Sequence, residues 1–199
     1  MRLLLVCGSQ RRASFNARLL AHLAERLRAP CQFDLLAPQD VDLPLFDQDR
    51  ESEPALVARV ASVHARFLAC HGIIVASPEY NGQLTPYLKN MVDWVSRLAR
   101  IDARYASPFV GRPALLCSAS TGASGGTVAI PSARALFGYI GCVVLGDTLC
   151  VPHAAQAWSD GRYQFDANFE ARIAAALLRL QGLAQGFART CADAVELAE

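Results

Sequence analysis

The sequence lacks the features that would indicate a membrane span, a nucleic-acid surface or a metal site. Its 199 residues contain no apolar run near the ~18 residues that cross a bilayer. They contain no long block of one charge, and the formal net charge is only +1. The seven cysteines form no C-x-x-C pair, the spacing typical of a zinc site. We therefore predict no membrane, no nucleic acid and no metal among its partners.

Two nucleotide-binding motifs and a leader are also missing. The chain has no G-x-x-x-x-G-K-[ST], and no G-x-G-x-x-G follows its first apolar run, so neither a P-loop ATPase nor a Rossmann dinucleotide site is indicated. The apolar start, Leu3–Cys7, is ended by Gly8 too soon for a signal peptide. Most cysteines lie inside or beside apolar runs, which is typical of buried reduced thiols, and the sequence predicts a cytoplasmic protein.

Short apolar runs alternate strictly with helical patterns along the chain. At 53% apolar composition the chain can bury one core, so we expect a single domain over residues 1–199. The runs predicted as strands are Leu3–Cys7, Gln32–Leu36, Gly72–Ala76, Ala114–Ser118 and Cys142–Leu145. Right-handed β-α-β crossovers then give a doubly wound, three-layer α/β fold with a five-stranded parallel sheet. The common strand order is 2-1-3-4-5, whose switch point lies between the first and third strands.

The segment after the first strand, Gly8–Asn16, has the composition of an anion-binding loop. Gly8 permits a tight turn and the close approach of a ligand to the backbone. Ser9 and Ser14 offer hydroxyl donors, and Arg11 offers a permanently charged fork suited to phosphate oxygens. This loop is therefore predicted to hold a phosphate group.

A helix is predicted to begin near Phe15, and its free N–H groups would point at the same place. Asn16 lies at the start of this helix and can brace or cap the loop. The competing interpretation is a plain strand-to-helix turn, in which Ser14 is an N-cap and the arginines are solvated.

The segment after the third strand, Ser77–Asn81, offers contacts to a flat polar ring. Pro78 fixes its own φ and stiffens the strand exit. Glu79, Tyr80 and Asn81 then provide backbone donors and acceptors, an amide and a ring face. The competing interpretation is a simple turn, since proline and Asn-Gly are common turn formers.

A third segment, Ser118–Gly126, follows the fourth strand and consists of small residues that can form a polar nest. Flexible Gly/Ser loops are common, so its position is the main argument for a role in binding. In open α/β sheets ligands bind at the carboxyl ends of the strands, where all three segments lie. Together they indicate a site for a phosphorylated flat cofactor, with FMN as the leading candidate.

With these loops the chain resembles the NADPH-dependent FMN reductase family of flavodoxin-like proteins, which includes flavin, quinone, chromate and azo-dye reductases. The resemblance covers roughly residues 1–150 and is specific through the pair of motifs G-S-x-R-x-x-S-x-N and P-E-Y-N. It implies a flavodoxin-like domain, with phosphate contacts at Ser9, Arg11, Ser14 and Asn16. It implies ring contacts at Pro78, Glu79, Tyr80 and Asn81, and a lining of the flavin's other side by Ser118, Ser120, Thr121 and Gly122. Phe15, at the start of the first helix, completes the predicted cofactor-binding set.

The resemblance implies an NAD(P)H-dependent FMN or quinone reductase, which transfers a hydride from nicotinamide to FMN and on to a small acceptor. No general acid, general base or other catalytic side chain is assigned, because this chemistry belongs mostly to the cofactor. The alternatives are a flavin-binding electron carrier or redox sensor without nicotinamide-dependent turnover, and a protein that keeps only the fold. No 2′-phosphate site can be identified, so the choice between NADH and NADPH stays open.

The resemblance also implies a homodimer or homotetramer, with Tyr87, Asn90 and Trp94 of the third helix at a subunit contact. The connection 101–111 is longer than usual for the family, and could alter the pocket mouth or the subunit contact. His153, after the fifth strand, could reach the pocket, although a lone histidine in a loop is more often incidental.

Overall fold

The computed structural model describes residues 1–196, with side chains described to residue 191. Its main strands are β1 Arg2–Cys7, β2 Gln32–Leu36, β3 Gly72–Ala76, β4 Pro113–Ala119 and β5 Val143–Val151. Its helices are α1 Phe15–Ala24, α2 Pro54–Leu68, α3 Pro86–Ile101, α4 Ile130–Tyr139, α5 Ala154–Ala157 and α6 Ala167–Glu196. Two short strands, β6 Trp158–Ser159 and β7 Arg162–Tyr163, form a separate hairpin before α6.

The five main strands form one parallel sheet in the order β2-β1-β3-β4-β5, which confirms the predicted fold class and strand order. The chain reverses its direction of winding between β1 and β3. The loops that follow β1, β3 and β4 therefore meet at the C-terminal edge of the sheet, next to this switch point.

Both faces of the sheet are covered, because successive side chains of a strand point to opposite sides. In β1, Leu3 and Leu5 pack with α1 and α6, whereas Leu4 and Val6 pack with α2, α3 and α4. All four side chains are fully buried. This is why the strand is apolar without a polar alternation, as the sequence predicts for a parallel sheet.

The fifth strand is longer than the predicted Cys142–Leu145. A register shift opposite β4 lets the strand continue through Gly146 and Asp147, which look like a turn in the sequence. Arg134 donates to the carbonyl oxygens of Leu145 and Gly146, at 2.6 and 2.8 Å, and so satisfies this irregular edge. The bulge is stabilised by a side chain from α4, and the sequence of the strand alone does not predict this contact.

The connection 102–112 joins the C-terminal end of α3 to the start of β4, so it lies at the N-terminal edge of the sheet. His64 of α2 contacts the Ala106 carbonyl oxygen of this connection at 2.8 Å. Of the two roles expected for the segment, a change at the pocket mouth is wrong, since parallel topology places it at the opposite edge from the loops of the candidate site; a role in subunit contact stays a prediction. No helix within residues 1–196 is long and apolar enough to span a membrane.

Candidate functional site

The loops after β1, β3 and β4 enclose one cleft at the C-terminal edge of the sheet. Counting its open mouth, its free volume is about 460 Å³. Its lining residues are Ser9, Arg11, Ser14, Phe15, Asn16, Pro78, Glu79, Tyr80, Ala119, Ser120 and Thr121. The structure thus brings together ten of the thirteen residues predicted from the sequence, from three segments far apart in the chain.

Gly8 is needed for close contact within the protein. A Cβ atom at Gly8 would lie 2.8 Å from the Cβ and Oγ atoms of Ser77. The Gly8 N–H donates to the Ala76 carbonyl oxygen at 2.8 Å, and Thr85 Oγ1 donates to the Gly8 carbonyl oxygen at 2.7 Å. The start of the first loop is therefore held against β3 and the start of α3, and a side chain at Gly8 would push these segments apart.

Ser14 is the N-cap of α1, as the competing interpretation of this loop predicts. Its Oγ accepts a hydrogen bond from the Ala17 N–H at 3.2 Å, and the side chain is buried. Asn16 is also buried and braces the site: its Nδ2 donates to the Ala119 carbonyl oxygen and its Oδ1 accepts from the Ala119 N–H, both at 2.9 Å. The first and third loops are thereby locked together before any ligand is present.

Arg11 is the main source of positive charge at the cleft. Its side chain is exposed, and within the described residues its guanidinium makes no hydrogen bond or ion pair. Its backbone N–H donates to Ser9 Oγ at 3.4 Å, which shapes the loop beside the N-terminus of α1. A free guanidinium next to a helix N-terminus offers both a formal charge and aligned N–H groups to an anion.

The second loop ends in a two-residue hairpin turn. Asn81 and Gly82 have φ of +51° and +73°, and Tyr80 and Gln83 exchange both backbone hydrogen bonds at 2.9 and 3.0 Å. Asn81 is exposed at the tip and does not line the cleft, so its conformation is explained by the turn itself. The contact from its amide to a ring stays a prediction.

Glu79 joins the second loop to α4. Its Oε2 accepts a hydrogen bond from the N–H of Ala129, the N-cap residue of that helix, at 3.0 Å. Tyr80 lines the cleft and is 46% accessible. The loop therefore presents an aromatic face and backbone edges, while its one carboxylate is occupied in capping a helix.

The third loop lines part of the cleft, and one unsatisfied polar group lies next to this lining. The Ser118 hydroxyl is buried and has no hydrogen-bond partner within the described residues. It lies against Gly126, where a Cβ atom would come within 1.9 Å of Ser118 Oγ. Ser118 and Gly122 do not line the cleft, whereas Ala119, which sequence reasoning missed, does. The only signal for Ala119 was its place at the end of an apolar strand, since it carries no functional group.

A thiol lies under the cleft but is not activated. Burial raises the pKa of Cys7, although hydrogen bonds with the Ser9 carbonyl and the Ser14 hydroxyl lower it in part. A neutral buried thiol is a poor nucleophile.

A second cleft adjoins the first and shares Arg11 and Tyr80 with it. Its free volume is about 620 Å³ with its open mouth, and its other lining residues are Gly8, Gln10, Thr85, Pro86 and Tyr87. The Tyr87 hydroxyl is buried without a partner, and burial raises its pKa, so that it stays a protonated donor. The two clefts together form a surface with two tyrosine rings and one free cation.

Three further side chains singled out in the sequence have other surroundings. Asn90 and Trp94 donate side-chain N–H groups to the Pro44 carbonyl oxygen, both at 2.8 Å, so they hold the segment after β2 within the same chain. His153 is exposed with a φ of +46°, and its N–H donates to the Gly122 carbonyl oxygen at 3.1 Å. It stands beside the third loop without lining the cleft. Within residues 1–191, no three histidine, cysteine or acidic side chains cluster to hold a metal ion.

Comparison with known proteins agrees with this architecture. A sequence model of a family described as NADPH-dependent FMN reductase matches residues 1–156. The chain is 33% identical over 119 residues to a quinone reductase of Escherichia coli (strain K12), spanning 60% of each protein. It is 32% identical over 146 residues to a 2-hydroxy-1,4-benzoquinone reductase of Burkholderia sp, spanning 73% of this chain and 74% of that protein.

A solved structure shares the fold at lower sequence identity. FerB of Paracoccus denitrificans, described as a flavoenzyme NAD(P)H:(acceptor) oxidoreductase, superposes with a TM-score of 0.74 at 20% identity. The likeness covers 94% of this chain and 97% of that one. At this identity the comparison supports the flavodoxin-like fold alone.

Proposed function

Since this chain belongs to the NADPH-dependent FMN reductase family, we propose that it is an NAD(P)H-dependent oxidoreductase with FMN in the first cleft and a quinone-like molecule as its electron acceptor. The observation that carries the proposal is the meeting of a free guanidinium, a helix N-terminus and an exposed tyrosine ring in one cleft. These are the groups that a phosphate and a flat ring require.

The donor set fits FMN at both ends. Arg11, Ser9 and the N–H groups of the first turn of α1 would hold the phosphate, with the Ser14 hydroxyl beside them at the N-cap of the helix. Tyr80 and the backbone of the second and third loops would hold the ring. The unpaired buried hydroxyl of Ser118, beside this lining, is a polar group still lacking a partner.

When bound, FMN supplies the two-electron chemistry, hydride acceptance and donation, that no side chain of the cleft provides. The protein's part is to bind and orient. The brace between Asn16 and Ala119 keeps the first and third loops at a fixed separation. The pairing of Tyr80 with Gln83 does the same for the second loop, so little ordering is left to accompany binding.

We assign the second cleft to the small substrates, because it opens beside the first and shares Arg11 and Tyr80 with it. Tyr80 and Tyr87 offer the aromatic surface on which a quinone or nicotinamide ring can stack. The relatives described as quinone and 2-hydroxy-1,4-benzoquinone reductases support a quinone-like acceptor. The choice between NADH and NADPH is left to experiment.

We also propose that the protein is a homodimer or homotetramer. Support comes from the family resemblance and from an open groove between α3 and α4, bordered by Lys89, Asp93, Leu136 and Tyr139. Tyr139 is 81% exposed there. Light scattering during gel filtration measures the mass directly, and a monomer would contradict the proposal.

An anaerobic absorbance titration of the FMN-supplemented protein with NADPH, and then with NADH, tests the function. We expect bleaching of the bound-flavin band at one equivalent of donor, reversed by an added quinone. A bound flavin that stays oxidised would indicate an electron carrier. A protein that binds no flavin would contradict the cofactor assignment.

A further inference from the structure

The segment just beyond the family match packs on the helix that faces the cleft. The match ends at residue 156, and the hairpin of β6 and β7 follows at once. Both strands of the hairpin contribute an aromatic ring, Trp158 and Tyr163, whose centroids lie 5.1 Å apart edge to face. These rings belong to the cluster that packs around α1 on one face of the sheet.

Tyr163 makes a direct bond to the first residue of α1. Its hydroxyl donates to the Phe15 carbonyl oxygen at 2.9 Å, across 148 positions of sequence. The side chain is 3% exposed, and burial raises its pKa, so the hydroxyl remains a proton donor. Phe165 stacks on the Tyr163 ring at 4.9 Å with an interplanar angle of 10°, which leaves the ring little freedom.

The ring of Phe15 is held from the same side. The guanidinium of Arg18 lies 5.2 Å from the Phe15 ring centroid and 4.5 Å from that of Trp158, so the cation is shared between them. Phe15 itself lines the cleft. The hairpin therefore fixes both the backbone and the side chain of the residue that begins α1, directly after the N-cap Ser14.

The far end of α1 is anchored as well. Arg26 donates to both carboxylate oxygens of Glu170 on α6, at 2.7 and 2.8 Å, and His22 contacts the same carboxylate at 3.1 Å. The second half of the helix is thus held by α6, and its first turn is held by Asn16 on the side of the third loop and by the Tyr163 hydroxyl on the side of the hairpin. That turn carries the N–H groups aimed at the cleft.

We propose that Tyr163 is a positioning residue, which holds the first turn of α1 ready for the phosphate and so sets the preference of the cleft for FMN over riboflavin. The inference rests on the proposed function, because it takes FMN as the ligand. Its physical reason is preorganisation: N–H groups that are already in place lose no freedom when the anion arrives. Riboflavin has the same ring without the phosphate, so its binding does not use this turn.

Replacement of Tyr163 by phenylalanine keeps the stacked ring and removes only the hydroxyl. Affinities for FMN and for riboflavin are measured separately by quenching of flavin fluorescence on the apoprotein. We expect Tyr163→Phe to weaken FMN binding about 3- to 10-fold and to change riboflavin binding by less than about twofold. The matched control is Tyr105→Phe, at the N-terminal edge of the sheet, where the ring contacts His64; both affinities should stay at their original values.

Unchanged FMN affinity in Tyr163→Phe would overturn the inference, as would an equal loss for the two flavins, which marks general loosening of the cleft. If this variant fails to fold, Trp158→Leu removes the ring that shares the Arg18 cation with Phe15 and should show the same selective loss. Equal losses there would again contradict the inference. Failure of the wild-type protein to bind either flavin would instead reject the proposed function and this inference with it.

Discussion

Arg112 and Arg11, one at each edge of the sheet, have opposite surroundings. At the N-terminal edge, Arg112 is 5% exposed, yet its guanidinium donates to the carbonyl oxygens of Leu68, Cys70 and Pro108. At the C-terminal edge the Arg11 guanidinium is exposed without a partner within the described residues, and a buried serine hydroxyl lacks one as well. A group that is satisfied inside the chain stabilises the fold, whereas one left without a partner is available to a ligand.

The buried arginine should show the largest effect on stability. Arg112→Met leaves three carbonyl oxygens without their donor, and we expect the unfolding free energy to fall by about 3–5 kcal/mol. Urea unfolding of the apoprotein measures this loss. In the folded fraction, FMN affinity should stay unchanged because the cleft lies at the other edge.

Arg134 is the matched control for this substitution. It also donates to backbone carbonyls, but it is partly exposed on α4, so water can replace it in Arg134→Met. We expect a loss of about 1 kcal/mol there. Equal losses of unfolding free energy in the two variants would mean that the burial of the arginine does not change its contribution to stability.

Loss of the exposed Arg11 side chain should weaken ligand binding and leave stability almost unchanged. Arg11→Ala is expected to weaken FMN binding by about 1–3 kcal/mol through a lost charge-assisted contact, with the stability of the apoprotein almost unchanged. Its neighbour Arg12 is also exposed and lines neither cleft, so Arg12→Ala serves as the control for net charge. If both variants bind FMN equally well in a fluorescence titration, the phosphate assignment of Arg11 is wrong.

Asn81 separates turn geometry from ligand contact at the C-terminal edge. Because its φ is +51°, Asn81→Ala should cost about 1 kcal/mol of stability, whereas Asn81→Gly should cost little. Both variants lack the amide. Thermal unfolding measures the difference in stability. An equal loss of FMN affinity in both variants would support the ring contact predicted from the sequence.

Acidification should produce the smallest effect, much of it from the N-terminal edge. Burial lowers the pKa of His22, His64 and His71 below the ordinary value of 6.5. Above that value the unfolded and native chains are both neutral at these sites and the stabilisation is complete. As the pH falls below it, the unfolded chain binds protons that the native chain does not, and the unfolding free energy decreases until the native imidazoles titrate.

Urea midpoints at about pH 7.5 and about pH 5.5 measure this slope, above the range where carboxylates titrate. His64 is buried against the Ala106 carbonyl, and His64→Gln should make the pH dependence shallower. An unchanged slope in that variant would mean that the side chain does not contribute to it.

The fold and the meeting of the three loops can be predicted from local sequence patterns. Four of the five strands match their predicted positions to within one residue at each end, because a continuous apolar run between turn residues is a local signal. Parallel crossovers then place the ends of β1, β3 and β4 at one edge whatever the details of packing. The N-cap at Ser14 and the turn at Asn81-Gly82 are local in the same sense, and both were competing interpretations that the residues themselves raised.

What each side chain does within that arrangement was decided by the tertiary structure. Asn16 braces Ala119 across 103 positions, Tyr163 bonds to Phe15 across 148, and Gly8 is small because Ser77 lies against it. No pattern of neighbouring residues predicts such pairs, since a polar group bonds to whatever partner the packing brings within about 3 Å. The packed structure therefore decides whether a serine, an amide or a guanidinium forms its hydrogen bonds within the chain or keeps them for a ligand. The reason is that distant segments set both the burial of the group and its partner.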